Sequence, residues 1–214
     1  MEPLDPRSIR LELMARGLAE DDLPAEPLDL LDQWLGMATE LGLHNANAMA
    51  VATADASGLP SVRNVLLRGR PVDGLIFYTN YESAKGLQLA ANPFAEALFT
   101  WLPLERQIRV RGPITKVRAE QSDAYFASRD RGSRLSAIAS AQSQPVASRD
   151  ELRRRHAELT ERFDGTEPPR PAHWGGFHLA AERVEFWQGR DFRLHDRLVY
   201  TRRGDSWEIQ RLQP

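Results

Sequence analysis

The sequence predicts a single domain of the α+β class, mainly β, in which helices are inserted between the strands of one sheet system. Two observations support this class. From residue 48 onward, short runs rich in β-branched and aromatic residues alternate with turn residues at 55–58 and 71–74, which is typical of a meander or a barrel. Helical periodicity is confined to residues 5–41 and to segments between the strands. We expect residues 1–214 to form one domain.

Helix-end signals locate the helices. Asp5 and Pro6 start the first helix and Gly17 ends it, because aspartate caps a helix N-terminus and glycine accepts a left-handed end. Leucines at helical spacing predict a second helix over residues 27–41. The remaining helices are predicted at residues 83–92, at residues 119–139 with a break around 130–132, and at residues 148–163, where Ser148 and Glu151 form a capping box.

Extended segments fill the space between these helices. Their apolar runs are short and are bounded by turn residues, as strands of an antiparallel meander are. The predicted strands are residues 49–53, 62–68, 75–79, 95–101, 107–117, 176–187, 197–201 and 207–212.

The composition excludes several classes of protein. A formal net charge of −2 and a pI of about 6.2 argue against a nucleic-acid partner, since such domains are normally basic. The absence of cysteine excludes disulfides, thiolate metal sites and cysteine nucleophiles. No apolar run approaches the roughly 18 residues of a membrane span, and the start of the chain is charged where a signal peptide would be apolar, so we expect a cytoplasmic protein without a membrane partner.

Familiar nucleotide and metal motifs are missing from the sequence. No glycine-rich turn follows the first predicted strand, and no phosphate-binding loop ending in Gly-Lys-Ser/Thr occurs. The five histidines show no spacing typical of a metal site, so we expect no metal.

Tyr125, Arg129 and Ser133 recur at intervals of four residues. If one helix continues through all three, they share a face on which two hydroxyls and a guanidinium could bind a phosphate. A solvated helix face explains the same spacing, and the pattern alone favours that explanation.

Arg193, His195 and Arg197 alternate along a second segment. In an extended chain they would share one face and offer three nitrogen donors to an anionic or heteroaromatic ligand. His195 could equally be a structural histidine paired with Asp196 or Glu185.

Other candidates carry a weaker signal. Arg63 and Arg68 would lie on opposite faces of a regular strand and would bind different anions, although two solvated arginines are the simpler explanation. Trp187 could cover a planar ring or belong to the core. Lys85 has the same weak signal as Arg63 and Arg68. Amide and hydroxyl groups of the kind that hydrogen-bond a flavin occur at Gln107, Gln142 and Ser143, although isolated glutamines are usually polar surface.

In this order the segments resemble the pyridoxamine 5′-phosphate oxidase family over about residue 22 to the C-terminus. The motifs that carry the resemblance lie in every part of that range, and the C-terminal ones are the most specific. They are Asp22-Leu23-Pro24, residues 63–68, residues 77–80, residues 104–107, Tyr125-Phe126 with Ser128-Arg129, Gln142-Ser143, residues 174–177, residues 184–189, residues 193–197 and residues 211–214.

The resemblance implies a fold and a cofactor. The expected fold is an FMN-binding split β-barrel with peripheral helices that forms a homodimer, with two FMN sites built from both subunits and residues 1–20 as an N-terminal lid. Arg63 and Lys85 would neutralise the FMN phosphate. The positions that match the family's FMN ligands are Arg63, Val65, Leu66, Arg68, Tyr78, Thr79, Lys85, Gln107, Gln142, Ser143, Trp187 and Arg197.

The resemblance also implies a substrate and a reaction. Pyridoxamine or pyridoxine 5′-phosphate would be oxidised to pyridoxal 5′-phosphate with O2 as acceptor, releasing H2O2, and ammonia from the amine. Arg193 and His195 would face the pyridine ring and are the candidate catalytic residues, acting through orientation and charge. The 5′-phosphate would be bound by Arg68, Tyr125, Arg129 and Ser133, with Arg10 contributed by the lid.

The sequence departs from the family pattern at four positions. Arg68 replaces a lysine, and Ala84 stands where an arginine often accompanies Lys85. Leu11 and Leu13 replace an arginine and a tyrosine of the lid. Three alternatives therefore stay open: a flavin oxidase acting on another ring system, such as a phenazine precursor; a split-barrel protein that stores or senses a flavin or haem; and a degenerate oxidase that persists as a dimeric interaction protein.

Overall fold

The computed structural model describes residues 5–214, so the first four residues of the predicted lid segment lie outside the described part of the chain. Helices occupy the N-terminus and the connections between strands. They are α1 (Pro6–Arg16), α2 (Pro27–Glu40), α3 (Ala84–Ala91), α4 (Ala119–Ser128), α5 (Arg131–Ala139) and α6 (Arg149–Arg162). None of the described helices combines the length and the apolar character needed to cross a membrane.

Antiparallel strands make up the body of the molecule. They are β1 (Ala48–Ala54), β2 (Pro60–Leu66), β3 (Gly74–Asn80), β4 (Phe94–Trp101), β5 (Arg106–Lys116), β6 (Trp174–Ala180), β7 (Arg183–Gln188), β8 (Asp196–Arg203) and β9 (Ser206–Arg211). The main path runs β2-β1-β4-β5-β7-β8-β9. β3 and β6 pair with each other and join this path where the end of β5 pairs with β6. The mainly β, α+β class predicted from the sequence is confirmed.

The predicted helix ends agree with the structure. The carboxylate of Asp5 accepts hydrogen bonds from the backbone amides of Arg7 and Ser8, and Gly17 ends α1 with a φ of 71°. The Ser148 hydroxyl caps α6 by accepting from the Glu151 amide at 3.1 Å. Only half of the predicted capping box forms, because the Glu151 carboxylate binds arginines one turn further along α6 instead of reaching back to Ser148.

Two strand predictions are wrong. The predicted strand 176–187 is two strands, β6 and β7, because the chain turns after residue 180 and the halves pair with different parts of β5. The predicted strand 62–68 ends at Leu66, after which the chain crosses toward β3, where the Arg68 amide donates to Ile76 O at 2.8 Å. Arg68 is therefore outside the regular strand, and the strand periodicity that set it on the face opposite Arg63 does not apply.

The predicted break in residues 119–139 is confirmed, but it lies one residue earlier than expected. Arg129 and Asp130 both have extended backbone, and the Asp130 carboxylate caps α5 by accepting from the Ser133 amide at 2.8 Å. A single helix through Tyr125, Arg129 and Ser133 is therefore wrong. These residues belong to the end of α4, the connection, and the start of α5.

The core lies between α2 and the strands of the main path. Trp34 of α2 meets Phe186 of β7 edge to face at 5.4 Å, and Phe186 meets Tyr200 of β8 in the same way at 5.8 Å. The Tyr200 hydroxyl donates to Pro24 O at 2.8 Å, which fixes the segment before α2 against β8. Residues of β2, β3, α3, α4 and α5 line a cavity that is described below.

Candidate functional site

A cavity of about 740 Å³ opens between β2, β3, α3 and the α4–α5 connection. Its volume lies within the roughly 300–1,000 Å³ of small-molecule sites. The residues that line it are Arg63, Asn64, Val65, Leu66, Arg68, Tyr78, Thr79, Asn80, Ala84, Lys85, Tyr125, Arg129, Ser133, Ser136, Ala137, Ser140, Gln142, Ser143 and Trp174.

Arg63 and Lys85 form one like-charged pair in this cavity. Burial lowers the pKa of Lys85 to about 8, and the nearby Arg63 charge adds to the effect. Burial also lowers the pKa of Arg63. Removal from water and mutual repulsion both disfavour the charged forms, so an anion bound between the two side chains would be stabilised.

Only neutral oxygens hold these two cations in place. Lys85 Nζ donates to Gln142 Oε1 at 2.8 Å, to Thr79 Oγ1 at 3.0 Å and to Ser83 Oγ at 3.2 Å. Arg63 donates to Thr53 Oγ1 at 2.6 Å and to acceptors on β1 and α3. These contacts orient the side chains and leave their charge uncompensated.

Arg68 and Arg129 form the second like-charged pair. Burial is the main cause that lowers the pKa of Arg129, and Arg68 contributes to it. Within residues 5–214, one terminal nitrogen of Arg129 is buried without a hydrogen-bond partner, and the guanidinium carbon lies 4.9 Å from the centre of the Trp174 ring. A buried donor without a partner is costly, so this nitrogen indicates a place for an acceptor supplied by a ligand.

Aromatic rings form the wall next to the second pair. Tyr78 stacks on Tyr125 with 3.9 Å between ring centres, and Trp174 lies parallel to both rings. Gly176, directly across from Tyr78 on β6, makes this possible, because a Cβ there would lie 2.8 Å from Tyr78 Cε1. The motif around Trp174 therefore has a packing explanation.

The charge of the cavity is entirely positive. No aspartate or glutamate occurs among its lining residues, and within residues 5–214 none of its four cations has a carboxylate oxygen within 4.0 Å. Elsewhere in the described chain many arginines have such partners, for example Arg70 with Asp32. The arrangement is that of a site for a ligand with two anionic groups, or for two anionic ligands side by side.

A second surface of candidate residues lies on β5, β7 and β8. Gln107 is the cross-strand neighbour of Trp187, which in turn neighbours Arg197, and the His195 ring packs 4.7 Å from the Trp187 ring. Arg197 donates to the buried carboxylate of Glu185 at 2.7 and 2.8 Å. We use the name Trp187 surface for five residues: Gln107, Trp187, Arg193, His195 and Arg197. None of its members lines the cavity of the same chain.

The predicted extended segment through Arg193, His195 and Arg197 is wrong. Residues 191–193 form a tight turn in which Phe192 and Arg193 have φ values of 55° and 61°, and β8 begins only at Asp196. His195 is fixed in this turn, because its Nδ1 accepts a hydrogen bond from the Arg190 amide at 3.2 Å. The neutral imidazole therefore carries its proton on Nε2.

Comparison with known proteins decides the family. Residues 38–163 match the family model described as pyridoxamine 5′-phosphate oxidase, and residues 174–214 match the one described as the pyridoxine 5′-phosphate oxidase C-terminal dimerisation region. The chain belongs to the pyridoxine/pyridoxamine 5′-phosphate oxidase family. The resemblance found in the sequence is thereby confirmed.

Relatives and solved structures agree with this membership. The chain is 50% identical over 210 residues to the pyridoxine/pyridoxamine 5′-phosphate oxidase of Rubrobacter xylanophilus, covering 98% of this chain and 97% of the relative. It is 51% identical over 195 residues to the pyridoxine/pyridoxamine 5′-phosphate oxidase of Paraburkholderia phytofirmans, covering 90% of this chain and 91% of the relative. PhzG from Burkholderia lata, solved with tetrahydrophenazine-1-carboxylic acid, superposes with a TM-score of 0.86 at 33% identity, covering 92% of this chain and 98% of that one.

The same split-barrel fold occurs in more distant proteins. A pyridoxamine 5′-phosphate oxidase-related, FMN-binding protein from Nostoc punctiforme superposes with a TM-score of 0.71 at 19% identity, covering 92% of this chain and all of that one. At this identity the likeness concerns the fold alone.

The structure of this family member divides the predicted site residues into two groups. Tyr125, Arg129 and Ser133 reach one cavity despite the helix break, and Arg63 and Arg68 line it together instead of serving separate faces. The cavity group is Arg63, Val65, Leu66, Arg68, Tyr78, Thr79, Lys85, Tyr125, Arg129, Ser133, Gln142 and Ser143. The group outside it is Arg10, Gln107, Trp187, Arg193, His195 and Arg197.

Sequence reasoning assigned no site role to several lining residues. Trp174 is the most important of them, because the Arg129 guanidinium packs on its ring. The Trp-Gly-Gly motif that contains it was a signal that could have located it. Ala84 also lines the cavity, so the position where the family often has an arginine opens directly onto it. The other residues, which have no distinguishing pattern, are Asn64, Asn80, Ser136, Ala137 and Ser140.

Sulfate should stabilise the ligand-free oxidase, because a dianion that binds between the cations binds the folded state alone. The rise in Tm should shrink as the pH passes through about 8, since Lys85 then loses its proton and its attraction for the anion. Differential scanning fluorimetry at constant ionic strength from pH 7 to pH 10 measures both effects.

Two variants provide the controls for this experiment. Lys85→Met should lower the sulfate effect at pH 7 and remove its pH dependence around 8. Arg70→Met breaks an ion pair outside the cavity and should keep the wild-type sulfate effect. Equal sulfate effects in wild type and Lys85→Met would contradict the assignment of the first pair.

Proposed function

We propose that this protein is an FMN-dependent oxidase that converts pyridoxamine 5′-phosphate and pyridoxine 5′-phosphate to pyridoxal 5′-phosphate. The observation that carries the proposal is the cavity with two like-charged cation pairs and no carboxylate. A flavin mononucleotide and a phosphorylated substrate each bring one phosphate, and two uncompensated cation pairs suit two phosphates.

The residues of the cavity fit FMN. The Arg63 and Lys85 pair would bind its phosphate, because both cations are already oriented by neutral acceptors and lack a counter-ion. The Thr79 hydroxyl and the Gln142 amide lie beside Lys85 and offer further hydrogen bonds. Val65, Leu66 and Tyr78 offer apolar and aromatic surface for the flavin ring, as do other small-molecule sites.

The second pair would hold the substrate phosphate. The orphaned nitrogen of Arg129 would gain an acceptor, and the hydroxyls of Tyr125 and Ser133 line the cavity beside it. Arg68 is the second cation, and its forked donors can replace the lysine of the family pattern at this phosphate. Trp174 packs against the Arg129 guanidinium, and Tyr78 and Tyr125 stack parallel to the Trp174 ring beside these groups.

A second copy of the chain would complete the site. Four of the five residues of the Trp187 surface lie in residues 174–214, the part that matches the family's dimerisation region, and the fifth, Gln107, pairs with Trp187 across the sheet. The surface lies outside the cavity of its own chain, so its Arg193 and His195 would reach the cavity of the partner. A symmetric dimer would then contain two equivalent sites.

The bound flavin supplies the chemistry, which is a two-electron oxidation at C4′ of the substrate. O2 is the final electron acceptor and is reduced to H2O2. With the amine substrate, one water molecule is also consumed and ammonia is released. The protein orients the reacting atoms and excludes solvent. Within this scheme His195 offers an N–H at Nε2 to the pyridine ring or its substituents, and Arg193 contributes positive charge without acting as a base.

Turnover by the purified protein tests the proposed function. The protein should show the absorption band of bound flavin, and pyridoxamine 5′-phosphate under air should yield aldehyde and H2O2 in equal amounts. Unphosphorylated pyridoxamine should react far more slowly, because it leaves Arg68 and Arg129 without an acceptor. A flavoprotein that oxidises tetrahydrophenazine-1-carboxylate and leaves the B6 phosphates unchanged would favour the PhzG-like alternative, and one that oxidises neither would favour storage or sensing.

Arg193→Ala should lower kcat/KM for pyridoxamine 5′-phosphate by about 10- to 100-fold, the effect of losing one charge-assisted contact. Bound FMN per chain should stay at the wild-type level, since Arg193 contacts the substrate in this assignment. Steady-state kinetics and the flavin absorbance give both quantities.

Arg203→Ala is the matched control for this variant. Arg203 lies in the β8–β9 hairpin and pairs with Glu208, so its removal should change neither quantity. Loss of FMN from Arg193→Ala with unchanged turnover per bound flavin would contradict the assignment.

A further inference from the structure

A hydrogen-bonded network joins the end of α1 to the turn that carries Arg193 and His195. Asp196 is at its centre, with a side chain only 15% exposed. Asp196 Oδ2 accepts from the Leu18 amide at 3.0 Å and from the Arg190 guanidinium at 3.4 Å, while Oδ1 accepts from Arg211 at 2.5 Å. One carboxylate therefore joins the end of α1 to the turn before β8 and to β9.

Arg211 extends the network at the other end of the chain. It donates to both carboxylate oxygens of Glu20, at 2.7 and 2.8 Å, and to Leu18 O at 2.8 Å. The hydrogen bond from Arg211 is the main cause that lowers the pKa of Glu20 to about 2. The Leu18 amide donates to Asp196 and the Leu18 carbonyl accepts from Arg211, so Leu18 is hydrogen-bonded through both of its backbone groups.

Gly17 is required where α1 ends against this network. Its φ is 71°, and a Cβ at this position would lie 1.6 Å from an Arg190 guanidinium nitrogen and 2.7 Å from Asp196 Oδ2. Only a residue without a side chain lets the Arg190 and Asp196 side chains meet under the end of α1.

Arg190 transmits the constraint to the turn. Its guanidinium is bound by Asp196, and its backbone amide donates to His195 Nδ1 at 3.2 Å. The turn needs such support, because Phe192 and Arg193 both have left-handed backbone that costs free energy outside glycine. Asp196 therefore fixes a turn whose Arg193 and His195 are candidates for substrate contact.

We propose that Asp196 is a positioning residue that links α1, through Leu18 and Gly17, to the turn at residues 189–195, so that the N-terminal segment and the substrate-facing side chains move as one unit. The proposal rests on the proposed function for the identity of the substrate. Asp196 does not line the cavity, and within residues 5–214 its side chain makes hydrogen bonds to Leu18, Arg190 and Arg211, through which it would act.

Asp196→Asn tests the proposal, because asparagine keeps the shape of the side chain and removes its charge. KM for pyridoxamine 5′-phosphate should rise by about 10- to 100-fold, as expected for displaced substrate contacts. Bound FMN should stay at the wild-type level, and kcat should fall much less than KM rises. Backbone amide hydrogen exchange, measured by mass spectrometry, should be faster than in the wild type in residues 6–18 and in residues 189–195.

Two further variants separate positioning from a general loss of stability. Asp32→Asn is the matched control, because it breaks an aspartate–arginine ion pair, that of Asp32 with Arg70, which does not contact the turn. This variant should keep the wild-type KM and the wild-type exchange rates in both segments. Gly17→Ala displaces Arg190 without removing any charged group and should reproduce the KM effect, so it serves in place of Asp196→Asn if that variant does not fold.

The outcomes distinguish this proposal from the proposed function. Faster exchange confined to residues 6–18, or a wild-type KM in Asp196→Asn and Gly17→Ala, would overturn the link. The exchange measurement needs no turnover, so wild-type protein that oxidises no B6 phosphate would contradict the proposed function while the coupled exchange still decides whether the two segments move together.

Discussion

Uncompensated positive charge within one cavity is the constraint on which the rest of the structure depends. Neutral oxygens orient Arg63 and Lys85, and Arg129 packs on the Trp174 ring beside Arg68. Lys85 is buried and Arg63 and Arg129 are half-buried, and removing charge from water without a charged partner costs folding free energy. The cavity is therefore organised for anions that bind from outside.

The rest of the fold presents the groups that this cavity lacks. Three residues of the Trp187 surface, Gln107, Trp187 and Arg197, lie on paired strands, and Arg197 is also bound by the buried Glu185 carboxylate. Most of this surface lies in the part of the chain that matches the family's dimerisation region, and under the proposed function a second chain would bring it to the cavity. The network around Asp196 adds the N-terminal helix to the same unit, so that three parts of the chain meet at the turn before β8.

Much of the fold could be predicted from local signals, while the site depended on tertiary structure. Asp5, Gly17 and Ser148 mark helix ends through backbone hydrogen bonds that neighbouring residues determine. Tyr125, Arg129 and Ser133 reach one cavity although the helix breaks at Arg129 and Asp130, so the helical spacing was not the reason. The turn at Phe192 and Arg193 has no glycine to signal its left-handed backbone, and strand alternation was therefore misleading there. Trp174 alone looks like a buried core tryptophan, and only the two glycines that follow it indicate that another ring packs closely there.

The most direct test of the account is whether the cavity of one chain works with the Trp187 surface of another. Arg129→Ala and Arg193→Ala, each nearly inactive alone, should be unfolded together and refolded as a mixture. If the sites are shared, a mixed dimer has one site with both defects and one with neither, so random pairing should restore about one quarter of wild-type activity. A mixture no more active than the separate variants, with mixed dimers shown by mass spectrometry, would contradict the account.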